Sequence, residues 1–234
     1  MPPLVRIRTF GGVCCKGEAG LKTYITFNDY CKKTFGTKVY KLSLSASDTC
    51  PNRDGTKGTG GCIFCSRGGS GEFAANLNDR IKIQIENARK LIDAKAKSCK
   101  YIAYFQSFSG TYGDINALKG KYYEALECDD IVGLSIATRP DCLSDDVMRV
   151  LTDLSKNTRL FIELGLQTAN DNTAELINRC YPLSEYDNAI EKLRSLDVNI
   201  VTHIILGLPF EDKNDMLNTV RYVSSVQCSN IGNR

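Results

Sequence analysis

Five short runs of apolar, β-branched and aromatic residues alternate along the chain with stretches of helical periodicity. The runs span residues 39–45, 100–107, 131–137, 159–166 and 198–206. Between the first two runs, apolar residues recur every three or four positions, at Ile81, Ile85, Ala88 and Ile92. Such spacing is typical of the buried face of an amphipathic helix. Strands that alternate with helices predict parallel βαβ units, with helices covering the sheet.

Polar and apolar residues also alternate inside the five runs, which indicates that the two faces of the sheet differ. One face carries residues such as Leu42 and Leu134, and the other carries Ser43, Glu163 and His203. A parallel strand buried on both faces is apolar almost throughout, and an ordinary barrel fills its lumen with branched apolar side chains. We therefore predict an α/β fold, a partial (β/α) TIM-like barrel of about five units around a polar lumen. A sheet with one solvated face is the alternative.

Composition limits the class of protein further. The 234 residues are 42% apolar and 24% charged, which is ordinary for a globular chain. No apolar run reaches the roughly 20 residues that span a bilayer, and the start of the chain has no export signal. Eleven cysteines in such a chain point to thiol, metal or catalytic chemistry in the cytoplasm. We expect residues 1–22 to be an irregular segment and residues 23–234 to form the partial barrel.

Charge is distributed unevenly between the two halves of the chain. Residues 1–117 hold 18 Lys and Arg against 9 Asp and Glu, whereas residues 118–234 hold 12 against 18. Clustered basic side chains raise the affinity for phosphate, so the first half could face RNA. Solvated helix faces explain the same charges and are the simpler interpretation.

The segment CPNRDGTKGTGGCIFC holds the most informative side chains. It places Cys50, Cys62 and Cys65 directly after the first predicted strand, at the end of a barrel where active sites lie. Its glycines let backbone N–H groups turn towards an anionic centre such as an iron–sulfur cluster. A structural zinc ion usually takes four ligands as two close pairs, and this segment has one such pair. A zinc site remains an alternative, because a fourth thiol could come from elsewhere in the chain. The candidates are Cys14, Cys15 and Cys31.

Three thiolates on a 4Fe–4S cluster leave one iron open, and an open metal position is a place for substrate. The three-cysteine motif, with Phe64 just before its last cysteine, resembles the radical S-adenosylmethionine (radical SAM) superfamily. A narrower resemblance, from about Tyr24 to Val223, is to the YhcC-type branch, which is related to the Elongator catalytic subunit. It rests on the segments CPNRDGTKGTGGC, AYFQS, GLSIATRPDCL, ELGLQTA and HIILGLPFE.

This resemblance implies two cofactors and a set of contact residues. The cluster ligands of the superfamily correspond to Cys50, Cys62 and Cys65. In the superfamily, S-adenosylmethionine (SAM) binds the open iron, and an electron from a reductant such as flavodoxin or ferredoxin splits it to a 5′-deoxyadenosyl radical. The positions that the resemblance places near SAM are Phe64 beside the adenine, Gln106 where a glycine pair is usual, Arg139, Glu163, Gln167, His203 and Gly207.

Several of these positions also have a purely structural interpretation. Phe64 is equally typical of a core aromatic, and Arg139 of a surface ion pair with Asp141. His203 fits a hydrogen-bonded core histidine, and Gly207 fits a simple strand-to-helix turn.

The function that the sequence predicts is that of a radical SAM enzyme whose substrate is not specified. Kinship with the Elongator catalytic subunit suggests RNA, but composition does not separate RNA from a small molecule. The alternative is a non-catalytic iron–sulfur or zinc protein with a structural or electron-carrying role. Barrels of this superfamily typically have six β/α units, and the chain supplies five. We therefore expect a shortened enzyme that lacks the sixth unit and a C-terminal extension, with an unpaired edge on its fifth strand.

Overall fold

A computed structural model describes residues 5–10, 25–69, 74–93 and 99–228. In these ranges the strands are Val5–Phe10 (β1), Val39–Leu44 (β2), Lys100–Phe105 (β3), Ile131–Thr138 (β4), Arg159–Gln167 (β5) and Asn199–Leu206 (β6). The helices are Phe27–Phe35 (α1), Ile81–Asp93 (α2), Ile115–Leu126 (α3), Asp145–Asn157 (α4), Asp171–Leu176 (α5), Leu183–Arg194 (α6) and Lys213–Cys228 (α7). A 3₁₀ turn, Pro140–Cys142, follows β4.

The strands form a single sheet in the order β1-β6-β5-β4-β3-β2. Strands β2 to β6 are parallel to their neighbours, and each corresponds to one of the five predicted runs. The predicted α/β partial barrel is therefore confirmed, as an open half-barrel with helices on its outer face. None of the helices in the described part of the chain is long and apolar enough to cross a membrane.

The N-terminal strand changes the predicted picture of the sheet edge. Residues Val5–Phe10 form β1, which pairs antiparallel with β6 over its whole length. The prediction of an irregular segment over 1–22 is thus wrong for these six residues, and the expected unpaired edge of the fifth parallel strand is paired. The pairing matters because an unpaired strand edge is a template for aggregation. The predicted boundary after residue 22 lies outside the described residues.

The two faces of the sheet differ as the alternation predicts. Leu42 and Leu44 of β2, together with Leu134 and Ile136 of β4, are buried in the main core against the helices. That core receives apolar side chains from α2, α3, α4, α6 and α7. The opposite face carries the polar residues and encloses the lumen.

Helix α1, which was not among the predicted helices, packs on the lumen face of the sheet. The rings of Phe27 and Tyr30 contact Phe161 edge to face, at centroid distances of 6.0 and 5.9 Å. The Tyr30 hydroxyl donates to Asn199 Oδ1 at 3.0 Å, at the start of β6. These contacts lie at the amino ends of the strands, so α1 closes that end of the lumen.

The same packing removes one candidate zinc ligand. Cys31 is fully buried on α1 in a cluster with Val39 and Phe161, and burial raises its pKa to about 11. Val39 begins β2, whereas Cys50 follows the other end of that strand. Six residues of strand span about 20 Å, so Cys31 is at the wrong end of the half-barrel to join Cys50. Cys14 and Cys15 lie outside the described residues.

A capping box fixes the start of α1, and its loss is a test of how much this helix stabilises the fold. Thr26 Oγ1 accepts from the Asp29 backbone N–H at 3.1 Å, and the Asp29 carboxylate accepts from Thr26 in return. We expect Thr26→Ala to lower the free energy of unfolding by about 1 kcal/mol, measured by urea denaturation. Thr26→Ser keeps the oxygen and should retain most of that stability. Equal stability of the Ala variant would mean that packing alone sets the start of α1.

Candidate active site

One cavity, at the carboxyl ends of the parallel strands, brings most of the predicted site residues together. Its lining includes Cys50, Cys62, Phe64, Cys65, Gln106, Arg139, Glu163, Gln167 and His203. Gly207 does not line this cavity. It lies just past β6 with φ of 81°, a left-handed conformation that suits glycine in a turn.

The three thiols of the cysteine loop, residues 50–65, influence one another electrostatically. Hydrogen bonding between the Cys65 thiol and the Cys62 sulfur is the largest cause that lowers the pKa of Cys62, and it raises the pKa of Cys65. Asn52 also donates to Cys62 Sγ, at 3.3 Å, and favours its thiolate. Burial raises the pKa of Cys50. Within the described ranges, no three His, Cys, Asp or Glu side chains converge closely enough to hold a single metal ion.

Arg53 connects the cysteine loop to the residues that follow it. Its guanidinium donates to the backbone oxygens of Ser66 and Arg67, at 2.5 and 3.2 Å, and stacks 5.3 Å from the Phe108 ring centroid. A Cβ on Gly61 would lie 2.8 Å from Arg53 Nε, so the side chain needs a glycine there. The arginine places a positive charge beside the thiols and favours the Cys62 thiolate.

The inner wall of the lumen is a paired polar network centred on Glu163, which is 1% exposed. One carboxylate oxygen accepts from Lys41 Nζ and from the Ser135 hydroxyl. The other accepts from His203 Nε2 at 2.6 Å. The Lys41 ammonium also lies 4.7 Å from the Tyr104 ring centroid. His203 is therefore both hydrogen-bonded inside the fold and part of the cavity wall.

Lys41 and Ser135 belong to this network although they were not among the predicted site residues. The signal for Lys41 was present in the sequence, because it stands two positions before Ser43 and so continues the polar face of β2. Its charge opposite Glu163 supplies the partner that a buried carboxylate requires.

Arg139 makes a buried ion pair, not the surface pair that the sequence left open. Its Nε and Nη2 donate to the two carboxylate oxygens of Asp141 at 2.9 and 2.8 Å, and the Asp141 side chain is wholly buried. Lys57 of the cysteine loop reaches the same carboxylate at 3.2 Å. Asp141 thus connects the loop that carries the thiols to the end of β4.

The end of β5 is shaped by two further residues that the sequence did not reveal. The Tyr181 hydroxyl donates to the Gly165 carbonyl, and its ring lies under the guanidinium groups of Arg139 and Arg179, 4.9 and 4.5 Å from their carbons. Arg179 is fully buried and donates to the carbonyls of Leu166 and Thr168, at 2.8 and 2.6 Å. These contacts of Tyr181 and Arg179 form only in the folded chain, so no sequence spacing predicts them.

The remaining predicted positions occupy different parts of the wall. The Ser43 hydroxyl donates to Gln106 Oε1 at 3.1 Å. Gln167 has a left-handed φ of 64° at the register shift between β5 and β6, and its amide nitrogen lies 2.6 Å from where a Cβ on Gly165 would be. Phe64 packs against a small apolar cluster that includes Ile205 and also lines the cavity. Phe64 is therefore part of a small apolar cluster and also part of the cavity wall.

Comparison with known proteins identifies the class to which this fold and cavity belong. Residues 46–223 match the Radical SAM superfamily, so the chain belongs to that superfamily. It is 44% identical over 210 residues to the uncharacterised protein YtqA of Bacillus subtilis strain 168, an alignment of 90% of this chain and 65% of YtqA. It is 37% identical over 194 residues to YhcC of Escherichia coli K12, covering 82% and 61% of the two chains. The chain thus spans less than two thirds of the length of either relative.

A solved structure supports the fold independently. The archaeal Elp3 of Methanocaldococcus infernus with an N-terminal deletion of residues 1–46 matches 79% of this chain and 42% of its own length. The TM-score is 0.54 at 15% sequence identity, which establishes a shared fold.

The hydrogen bond between Cys65 and Cys62 predicts unusual thiol reactivity in the cluster-free protein. The thiolate is the nucleophile and the pKa of Cys62 is lowered, so half-maximal alkylation of Cys62 should occur at a lower pH than the ~8.5 of an ordinary thiol. We expect Cys65→Ala to move this midpoint to higher pH, and Cys65→Ser, which keeps a donor, to retain a low midpoint. Iodoacetamide labelling followed by peptide mass spectrometry gives the rates. An unchanged midpoint in the Ala variant would exclude this hydrogen bond as the cause.

Proposed function

We propose that this chain is the catalytic unit of a radical SAM enzyme, in which Cys50, Cys62 and Cys65 hold a 4Fe–4S cluster and the cavity binds SAM. The observation that carries the proposal is the lining of that cavity. Three thiols from one loop share it with polar groups of β5, β6 and the turn after β4. Membership of the superfamily supports the same assignment.

The donor set fits a cluster. Thiolates are the ligands of iron–sulfur clusters and of structural zinc. A structural zinc ion usually takes four such ligands, and the cysteine loop supplies three. Cys31, one of the candidates for a fourth thiol, lies at the other end of the half-barrel. The number of thiols at this end therefore favours a cluster with one open iron over the zinc site that the sequence left open.

When bound, the cluster would supply the electron that splits SAM into methionine and a 5′-deoxyadenosyl radical, with an external reductant such as flavodoxin or ferredoxin as the source. The residues of this chain would bind and orient SAM. Phe64 offers an apolar wall for the adenine. Gln106, Arg139 and Gln167 offer polar groups around the mouth, with Glu163 and His203 further inside. Because Lys41 and His203 already pair with Glu163, this carboxylate faces the lumen with its charge compensated.

We propose RNA as the substrate class, because the resemblance to the Elongator catalytic subunit suggests it and the basic residues 1–117 are compatible with it. Phosphate contacts of this kind would make binding strongly dependent on salt. The chain spans 61–65% of its curated relatives, so the remaining length of such a protein is a further place for substrate contacts.

Replacement of the loop cysteines tests the cluster assignment directly. We expect Cys50→Ala, Cys62→Ala and Cys65→Ala each to abolish the broad visible absorption that follows anaerobic reconstitution with iron and sulfide. Cys99→Ala and Cys128→Ala, which lie outside the loop, are the matched controls and should retain it. With dithionite and SAM, the wild-type chain and the two controls should form 5′-deoxyadenosine. A loop variant with full iron content, or a wild-type chain that binds zinc and no cluster, would refute the assignment.

Arg139 tests the SAM site separately from the cluster. Loss of a hydrogen bond to a charged ligand group costs ~1.5–3 kcal/mol, so Arg139→Ala should bind SAM about tenfold to a hundredfold more weakly while keeping its cluster. Arg149→Ala removes an arginine from an exposed pair on α4 and should leave SAM affinity unchanged. Equilibrium binding to reconstituted protein gives both constants. Equal affinities in the two variants would exclude Arg139 from the SAM site.

A further inference from the structure

Asn52 lies inside the cysteine loop and contacts one of the three thiols directly. Its side chain is fully buried, and its Nδ2 donates to Cys62 Sγ at 3.3 Å. The same nitrogen donates to the Asn178 carbonyl at 2.5 Å. Within the described residues Asn52 Oδ1 has no hydrogen-bond partner. The orientation of the amide is therefore set by the two hydrogen bonds that its nitrogen donates, to Cys62 and to Asn178.

The surrounding chain holds this amide in place. A Cβ on Gly58 would lie only 2.2 Å from Asn52 Oδ1, so the loop passes too close to leave room for a side chain there. The Gly61 N–H donates to the Asn52 carbonyl at 2.8 Å. From the other side of the loop, Asn178 Nδ2 donates to the carbonyls of Thr59 and Gly61, at 3.2 and 2.8 Å. Asn52 therefore has a fixed position between Cys62 and the segment that follows α5.

We infer that Asn52 is a positioning residue that orients Cys62 and raises the reduction potential of the cluster; the inference rests on the proposed function. A hydrogen bond to a thiolate sulfur stabilises negative charge on it. One-electron reduction adds a negative charge to the cluster, so the same hydrogen bond stabilises the reduced form more than the oxidised form. Hydrogen bonds to the sulfurs are one of the factors that set the potentials of such clusters.

A purely structural role for Asn52 predicts something different. Asn178 braces the same loop through its side chain but donates to backbone carbonyls and not to a sulfur. Loss of the Asn178 side chain should loosen the loop without changing the charge environment of Cys62. Asn178→Gly is the matched control, because glycine tolerates the φ of 54° that Asn178 adopts.

The test measures two quantities in the wild-type chain and in each variant. The first is the midpoint potential of the reconstituted cluster, by EPR-monitored potentiometry with dithionite as reductant. The second is the melting temperature. Asn52→Leu keeps the branched shape of the side chain, adds some bulk and removes the donor, and we expect a more negative potential. Asn52→Ala removes the same donor without added bulk and should shift the potential in the same direction. Asn178→Gly should melt at a lower temperature and keep the wild-type potential.

The outcomes separate this inference from the proposed function. A wild-type potential in both Asn52 variants, or an equal shift in Asn178→Gly, would overturn the inference while the enzyme assignment stood. Loss of the cluster from both Asn52 variants would also overturn it, because the three thiolates are taken to hold the cluster without this residue. Absence of a cluster from the wild-type chain would overturn the proposed function and this inference together.

Discussion

The buried carboxylate of Glu163 is the constraint on which the lumen of the half-barrel depends. Its partners come from three other strands: Lys41 from β2, Ser135 from β4 and His203 from β6. Removing one partner of a buried ion pair typically costs about 3–5 kcal/mol, because it leaves an uncompensated charge. The network therefore links four of the five parallel strands through their polar face, where an ordinary barrel would use apolar packing. A polar cavity persists above it because these charges are already paired.

The two ends of the lumen differ, because one end is closed by a helix and the other carries the cysteine loop. Helix α1 closes the amino end with the rings of Phe27 and Tyr30. The carboxyl end carries the cysteine loop, which is tied to the end of β4 through Lys57 and Asp141. It is tied to the segment after α5 through Asn178. In the described part of the chain the cavity lies at the end that carries the thiols, and the loop that would hold a cluster has several independent anchors.

Sequence periodicity predicted the five parallel strands well, because alternation within a strand reports which face is buried. It missed α1, although apolar residues recur there at helical spacing, at Phe27, Tyr30, Cys31 and Phe35. It also missed β1, whose pairing with β6 depends on a distant part of the chain. At the site, nine of the ten positions that the family resemblance implied line one cavity. Arg179 and Tyr181 escaped prediction because a buried arginine is satisfied by carbonyls that only the folded chain brings near. The pairing of Arg139 with Asp141 was foreseen, but not its burial, because Tyr181 and Lys57, which contact this pair, come from distant parts of the chain.

The charges around the thiols give a physical reason for an anionic group at this end of the cavity. Three cations, Arg53, Lys57 and Arg139, surround the loop, and Asp141 pairs with two of them. In the described part of the chain the hydrogen bonds of Arg53 go to carbonyl oxygens, which do not cancel its charge. Thiolates would supply the missing negative charge, and both arginines lower the pKa of Cys62. The electrostatics and the cysteine spacing thus both support the proposed anionic centre at the mouth of a lumen whose own charges are internally balanced.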